Sequence, residues 1–174
     1  MEKTVRSMVL HQGRALTFKR DEVELPSGRI TFRDIVDHPG AVAIIPVLPD
    51  GRIVMVRQYR YPIRKSLLEI PAGTLEQGES PYDCARRELK EETRYETDTI
   101  EELLRCYTAP GYSSELIHIF VARNISEVDG EIEQDENIRV ELLELDEILS
   151  MIDDNVIEDA KTICGILALR RFKG

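Results

Sequence analysis

Three glutamates, Glu88, Glu91 and Glu92, stand within five positions of one another in the stretch GTLEQGESPYDCARRELKEETRY, which runs from Gly73 to Tyr95. Like charges at helical spacing repel by roughly a few tenths of a kcal/mol per pair, so such a cluster needs either solvent screening or a cation. Clustered carboxylate oxygens are the ligands that Mg²⁺ or Mn²⁺ takes. The spacing therefore indicates a divalent-cation site, provided that the side chains turn away from bulk water.

The residues before the glutamates predict where a helix begins. Ser80 is a good cap, Pro81 fits the first helical position, and Asp83 suits the third, where an acid satisfies free backbone amides. From there the helix is predicted to run to about Thr93.

One face of this helix is predicted to pack against a sheet. At about 100° per residue, the apolar side chains that share this face are Tyr82, Ala85 and Leu89. Glu92 falls on the same face, about 20° from Ala85, and Glu88 lies about 60° to one side of Ala85. Because an unpaired buried carboxylate is costly, inward glutamates one turn apart favour a shared cation.

The alternative is a solvated helix whose acids pair with the basic residues Arg86, Arg87 and Lys90. The angular placement of Glu88 and Glu92 counts against it. Arg87 is also well placed to orient a neighbouring carboxylate.

The pattern resembles the signature of the Nudix hydrolase family. The matching positions are Gly73, Glu79, Arg87, Glu88, Leu89, Glu91 and Glu92, whereas Arg94 stands where that signature has a glycine. The missing glycine is expected to adopt a left-handed conformation after the helix, where another residue costs about 1 kcal/mol. The resemblance implies a loop–helix–loop that binds Mg²⁺ (Mn²⁺ as the alternative) and hydrolyses a nucleoside diphosphate linked to another moiety.

The same resemblance assigns roles to residues. It implies metal ligation by Glu88, Glu91, Glu92 and the backbone carbonyl of Ala72, and catalytic roles for Glu91 and Arg87. It also places the general base on a loop after the signature helix. The acidic loop Asp129 to Asn137 fits, through Glu131, Glu133, Asp135 or Glu136, and Glu133 or Glu136 is the preferred choice.

Flanking stretches resemble the ADP-ribose subgroup of that family. They are HPGAVAIIPV, VMVRQYRYPIRKSLLEIPAG, and Pro110, which lies fifteen positions after Tyr95. The implied reaction is Mg²⁺-dependent hydrolysis of ADP-ribose to AMP and ribose 5-phosphate. The alternatives are another nucleoside diphosphate sugar, such as GDP-mannose, or a non-catalytic nucleotide-sensing regulator.

Candidate substrate-binding residues are Arg57, Arg60, Glu69 and Pro110. A guanidinium donates two parallel hydrogen bonds to phosphate oxygens and stays charged near neutrality, so two arginines in VRQYR suit a diphosphate. The competing interpretation is that Arg57 and Arg60 are surface residues of an edge strand.

The arrangement of apolar segments predicts an α+β fold of the α/β/α sandwich type with a mixed central sheet. Residues 1–39 alternate apolar and polar positions between turn signals, which predicts a small N-terminal antiparallel sheet before a Nudix domain at 40–174. AVAIIPVL predicts a strand buried on both faces, and Pro49-Asp50-Gly51 predicts a hairpin after it. Two helices, near 146–153 and 158–171, are predicted to close the chain.

The N-terminal sheet is too small to hold its own core, and similar enzymes are homodimers in which this region helps to build the partner's substrate site, so a homodimer is expected. A net charge of −10 over 174 residues argues against nonspecific binding of nucleic acid or of an anionic membrane. Three scattered cysteines predict reduced thiols and a cytoplasmic protein.

Overall fold

The computed structural model of the chain describes residues 1–129 and 138–171. The chain divides into two compact units, the first formed by Met1–Gly40 with Tyr107–Leu116, and the second by Ala41–Cys106 with Ile117–Gly174. Among the described residues, no helix has the length and apolar character needed to cross a membrane.

The first unit is built on an antiparallel sheet in the order β1-β2-β3. Its strands are β1 (Lys3–Gln12), β2 (Thr17–Glu24) and β3 (Ile30–Asp37). Arg20 on β2 donates to Asp34 on β3 with a shortest distance of 2.6 Å. The segment at 107–116 attaches to β3, because the Val36 N–H donates to the carbonyl of Tyr112 at 2.8 Å.

The second unit contains the remaining elements. A mixed sheet has the order β7-β4-β10-β9, a second sheet has the order β12-β5-β6, and β11 pairs with β8. The strands are β4 (Ala41–Pro46), β5 (Ile53–Arg60), β6 (Lys65–Glu69), β7 (Ala72–Thr74), β8 (Tyr95–Glu96), β9 (Thr99–Tyr107), β10 (Leu116–Arg123), β11 (Ser126–Glu127) and β12 (Arg139–Leu143). The helices are α1 (Pro81–Thr93), α2 (Leu145–Asp153) and α3 (Ala160–Arg171).

β4 contributes side chains to both apolar cores of this unit. Ala43 and Ile45 join a cluster with residues of α2 and α3, whereas Val42 and Ile44 join a cluster with residues of α1. Side chains alternate between the faces of a strand, so one strand serves two helical layers. The predicted strand buried on both faces is confirmed, as is the α+β fold with helices on both sides of a mixed sheet.

The turn at Pro49–Gly51 differs from the hairpin that the sequence predicts. Gly51 has a φ of 93°, and its N–H donates to the carbonyl of Leu48 at 2.9 Å, as a tight turn requires. However, β4 and β5 lie in different sheets, and beside the turn the chain pairs through an isolated bridge, Val47 to Ile53. The turn sequence therefore predicts where the chain reverses. Packing in the core decides which strands pair.

α1 begins and ends as its sequence predicts. The Ser80 hydroxyl accepts from the Asp83 N–H at 3.1 Å, and Pro81 is the first helical residue. Arg94 follows Thr93 with a φ of 61° and a ψ of 24°, and its N–H donates to the Lys90 carbonyl at 2.9 Å. Arg94 therefore adopts the left-handed conformation that the signature glycine would supply.

Replacing Arg94 by glycine is expected to raise the free energy of unfolding by up to about 1 kcal/mol. The left-handed conformation costs a non-glycine residue about 1 kcal/mol or more, and the Arg94–Glu127 ion pair that would be lost is exposed and worth about 0.5 kcal/mol. Urea unfolding of Arg94→Gly measures the net effect, and Glu127→Gln measures the ion pair alone. A loss of stability larger than 1 kcal/mol in Arg94→Gly would show that the arginine side chain outweighs the backbone strain.

Candidate active site

Glu92 turns inward at the end of α1. It is 5% exposed, and its Oε2 accepts a hydrogen bond from the Ala72 N–H at 2.9 Å. Ala85 and Leu89, the neighbours on the same helical face, are fully buried in the core. The predicted inward placement of Glu92 is therefore confirmed, and the bond joins the helix to the first residue of β7.

Glu88 lies directly against the backbone of Gly73. A Cβ built on Gly73 would stand 1.8 Å from Glu88 Oε1 and 1.9 Å from its Cδ. No side chain fits in that space, so the glycine is what admits the carboxylate. The Glu88 side chain is only 12% exposed, which matches its predicted place beside the packing face.

The helical face differs from the prediction at its first turn. Tyr82 was expected to pack with Ala85 and Leu89, but it is exposed, and its hydroxyl donates to the Asp98 carbonyl at 3.2 Å. Tyr82 therefore does not belong to the packing face of α1, and that part of the prediction is wrong.

Arg87 bridges three carboxylates of the predicted signature. Its Nε and Nη2 donate to Glu79 at 2.9 and 3.0 Å, and its Nη1 donates to Glu88 at 2.7 Å and to Glu91 at 2.9 Å. Glu91 is the more exposed of the two helical partners. The guanidinium fork thereby fixes the rotamers of Glu79 and Glu88.

The Arg87 hydrogen bonds lower the pKa of Glu79 from 4.5 to about 2, against the opposing effect of burial. A carboxylate whose pKa is lower in the folded state stabilises the fold above its unfolded pKa, and the contribution fades as pH falls toward the folded value.

Replacing Glu79 by glutamine is therefore expected to cost the most stability above about pH 4.5, with the difference from wild type shrinking toward about pH 2. Urea unfolding of both proteins between pH 3 and pH 7 measures this difference. The matched control is Glu76→Gln, which changes an exposed acid of the same loop. A difference that does not depend on pH would show that Glu79 acts through something other than its charge.

The two arginines of β5 are each engaged with a carboxylate. Arg57 Nε donates to Glu141 Oε1 on β12 at 2.6 Å, and Arg60 donates to both oxygens of Glu69 at 2.8 and 2.7 Å. β5 lies between β12 and β6, so the alternative that these are edge-strand residues is wrong. Both guanidinium groups stay partly exposed.

Glu69 is buried behind Arg60. It is 1% exposed, and Lys161 Nζ on α3 also donates to its Oε2. Sequence reasoning missed Lys161 and its neighbour Asp159, because only the packing of α3 against β6 brings them to Glu69. The available signal was an aspartate just before the closing helix and a lysine in its first turn.

The remaining predicted site residues lie in different parts of the chain. Pro110 is an exposed turn residue of the first unit, whereas the signature residues and the β5 arginines belong to the second. The predicted bases Glu133 and Glu136 lie outside the described residues. Across residues 1–129 and 138–171, no three His, Cys, Asp or Glu side chains are grouped so that they would hold a metal ion by themselves.

The chain resembles known proteins over most of its length. A family model described as NUDIX domain matches residues 37–165. A methanol dehydrogenase activator of Bacillus methanolicus is 44% identical over 171 residues, and an ADP-ribose pyrophosphatase of Bacillus subtilis is 39% identical over the same length; each alignment covers 97% of this chain and 92% of the relative. A GDP-mannose pyrophosphatase of Yersinia enterocolitica is 36% identical over 142 residues, covering 76% of this chain and 74% of that protein.

A solved structure shares the fold. The crystal structure of an ADP compounds hydrolase superposes with a TM-score of 0.85 at 22% identity, covering 98% of this chain and 93% of that chain. At this identity the likeness concerns architecture alone. The family model and the relatives near 40% identity, taken with the glutamates that α1 turns inward, show that the chain is a member of the Nudix hydrolase family.

Proposed function

We propose that the protein hydrolyses the diphosphate bond of ADP-ribose and releases AMP and ribose 5-phosphate. The observation that carries the proposal is the pair of inward carboxylates, with Glu92 bonded to the Ala72 N–H and Glu88 seated on Gly73. Relatives named ADP-ribose pyrophosphatase at 39% and 41% identity support this substrate over other nucleotides.

The donor set suits a hard divalent cation, and we propose Mg²⁺, with Mn²⁺ as the alternative. Glu88, Glu92 and the Ala72 carbonyl would hold it, with Glu91 as a further carboxylate. The space that a Cβ on Gly73 would fill is taken by the Glu88 carboxylate, so a proposed ligand lies beside the residue that follows Ala72. When bound, Mg²⁺ lowers the pKa of a water and balances charge on a diphosphate.

Other residues of the chain have separate roles in the proposed reaction. Arg87 holds Glu88 and Glu91 in fixed rotamers, and Arg57 and Arg60 bind the diphosphate oxygens. Glu133 or Glu136 would accept the proton of the attacking water, a role that the family resemblance implies for a loop after the signature helix.

Purified protein with Mg²⁺ and ADP-ribose tests the proposal. Chromatography is expected to show AMP and ribose 5-phosphate formed in equal amounts, with a kcat/KM above that for any other nucleoside diphosphate sugar. Rapid hydrolysis of another nucleotide with none of ADP-ribose would overturn the substrate assignment. Binding of nucleotides without turnover of any of them would favour the non-catalytic regulator.

The second candidate is a pyrophosphatase for another nucleoside diphosphate sugar, such as GDP-mannose. The observation that favours it is the 36% identity to the GDP-mannose pyrophosphatase of Yersinia enterocolitica. Measuring kcat/KM for both compounds on one preparation ranks the candidates, since specificity is the ratio of these values.

We also propose a homodimer assembled through the first unit. Its sheet exposes several large apolar side chains, among them Val9, Phe18, Ile30 and Phe32, the last 55% exposed. Phe18, Ile30 and Phe32 point to the same face, because paired strands keep their residues in register. Light scattering is expected to give twice the 19.9 kDa chain mass, and Phe32→Lys is expected to yield monomers. A wild-type monomer at micromolar concentration would contradict the dimer.

A further inference from the structure

A buried charge cluster lies outside the signature helix. Its centre is Glu69, 1% exposed, which accepts from both Arg60 and Lys161. Burial acts to raise the pKa of Glu69, but these two cations outweigh it and hold the pKa below its ordinary value. Glu69 therefore stays ionised, and one carboxylate is shared by two cations.

Lys161 is held in place by the first turn of α3. Asp159 accepts from the Thr162 N–H at 2.9 Å and from the Thr162 hydroxyl at 2.6 Å, which caps the helix, and Lys161 Nζ lies 3.0 Å from the same carboxylate. The Thr162 hydroxyl also accepts from the Ile70 N–H at 2.9 Å. The start of α3 is thus bonded to the strand end that leads into Ala72.

The charges of this cluster affect how strongly Arg60 can attract a phosphate. A guanidinium paired alone with a carboxylate forms a neutral unit that attracts a phosphate weakly. Here Lys161 shares the charge of Glu69, while the charge of Asp159 faces the positive end of a helix dipole. The positive charge of Arg60 is therefore only partly offset by the neighbouring carboxylates, and its side chain is partly exposed. Hydrogen bonding to Glu69 is the main influence that raises the pKa of Arg60, and the charges of Glu92 and Asp159 act in the same direction. Arg60 therefore lies within electrostatic range of Glu92, one of the proposed cation ligands.

We propose that Lys161 is a positioning residue for diphosphate binding, and that it acts through Glu69 to fix the orientation and the effective charge of Arg60. This inference rests on the proposed function, and it adds the closing helix to the parts of the chain that decide substrate affinity. The Lys161 side chain is only 12% exposed, and its ion-pair partners among the described residues are Glu69 and Asp159.

The first test compares Lys161→Met with Lys161→Arg. The methionine variant is expected to raise KM for ADP-ribose about tenfold while kcat changes less than about twofold, because it removes binding that ground state and transition state share. The arginine variant keeps a cation and is expected to recover most of the affinity. An unchanged KM in folded Lys161→Met would overturn the proposal. If the methionine variant does not fold, Lys161→Gln takes its place, since it keeps a donor without the charge.

A double-mutant cycle separates positioning from general stability. If Lys161 acts through Arg60, adding Lys161→Met to an Arg60→Gln protein is expected to change KM less than twofold, because the two effects are then coupled. Full additivity of the two KM effects would overturn the proposal.

The matched control is Lys65→Met, which removes an exposed ion pair between β6 and Glu158, just before the same helix. It is expected to leave KM unchanged. If Lys65→Met raises KM as much as Lys161→Met does, any loosening of α3 suffices and the proposal fails.

Equilibrium binding of ADP with Mg²⁺, measured by calorimetry, distinguishes this inference from the proposed reaction. Lys161→Met is expected to weaken ADP binding about tenfold, or about 1.4 kcal/mol. If wild type does not hydrolyse ADP-ribose but ADP binding still depends on Lys161, only the proposed reaction fails. If wild type hydrolyses ADP-ribose, but Lys161→Met leaves both the KM and the ADP affinity unchanged, only this inference fails.

Discussion

Replacing Glu92 by glutamine is expected to lower kcat for ADP-ribose about a thousandfold, which corresponds to about 4 kcal/mol of transition-state stabilisation. Glutamine has nearly the same shape, and its amide oxygen still accepts from the Ala72 N–H at the observed distance of 2.9 Å. What it removes is the negative charge, and a neutral amide is a much weaker ligand for a hard divalent cation. Steady-state assays over a range of Mg²⁺ concentrations measure the loss, and partial recovery at high Mg²⁺ would indicate weakened metal binding.

The control for this variant is Lys90→Gln, on the same helix. Lys90 is exposed, and its ion pair with Glu96 spans 3.7 Å, so its removal is expected to leave kcat within twofold of wild type. Circular dichroism at increasing temperature shows whether either protein has lost its fold. Wild-type kcat in folded Glu92→Gln would refute the metal role and, with it, the proposed mechanism.

The second large effect is expected from Gly73→Ala, which adds one methyl group. That group would stand 1.8 Å from Glu88 Oε1, so the carboxylate must leave its position. Displacing a group at a reactive centre by about 1 Å can cost about a hundredfold in rate, and a loss of at least that size in kcat is expected. The fold is expected to survive, because Gly73 has no positive φ and the obstacle is the end of a flexible side chain.

The control for Gly73→Ala is Gln77→Ala, an exposed position in the loop that follows β7. It is expected to match wild type in both kcat and melting temperature. Gly73→Ala is expected to melt within a few degrees of wild type while losing activity. A variant that keeps full activity would show that Glu88 functions equally well in another position.

Local periodicity was sufficient to predict the inward glutamates. The 3.6-residue repeat places Glu92 about 20° from Ala85, on the buried face of the helix, and the cap at Ser80 fixes where the helix begins. The same reasoning failed at Tyr82, because periodicity alone does not show which positions of a helical face are covered by the rest of the fold. The end of α1 was also predictable, since the signature calls for a left-handed residue there and Arg94 adopts that conformation.

Contacts between distant segments were not predictable in this way. The turn at Pro49–Gly51 reverses the chain, but the pairing of β4 with β10 rather than β5 depends on residues some seventy positions apart, such as Val42 and His118. The pairing of Glu69 with Lys161 spans 92 positions and depends on where α3 packs. Residue types showed that these side chains carry charge, and only the assembled fold decides which charges meet.

The double role of β4 restricts how homologous chains can differ in length. Deleting a single residue inside Ala41–Pro46 would shift every following side chain to the opposite face, so side chains of one core would be turned into the other. Insertions and deletions in this strand are therefore expected to be eliminated by selection. Gly51 has open space around it, so lineages are free to lengthen the exposed turn beside it.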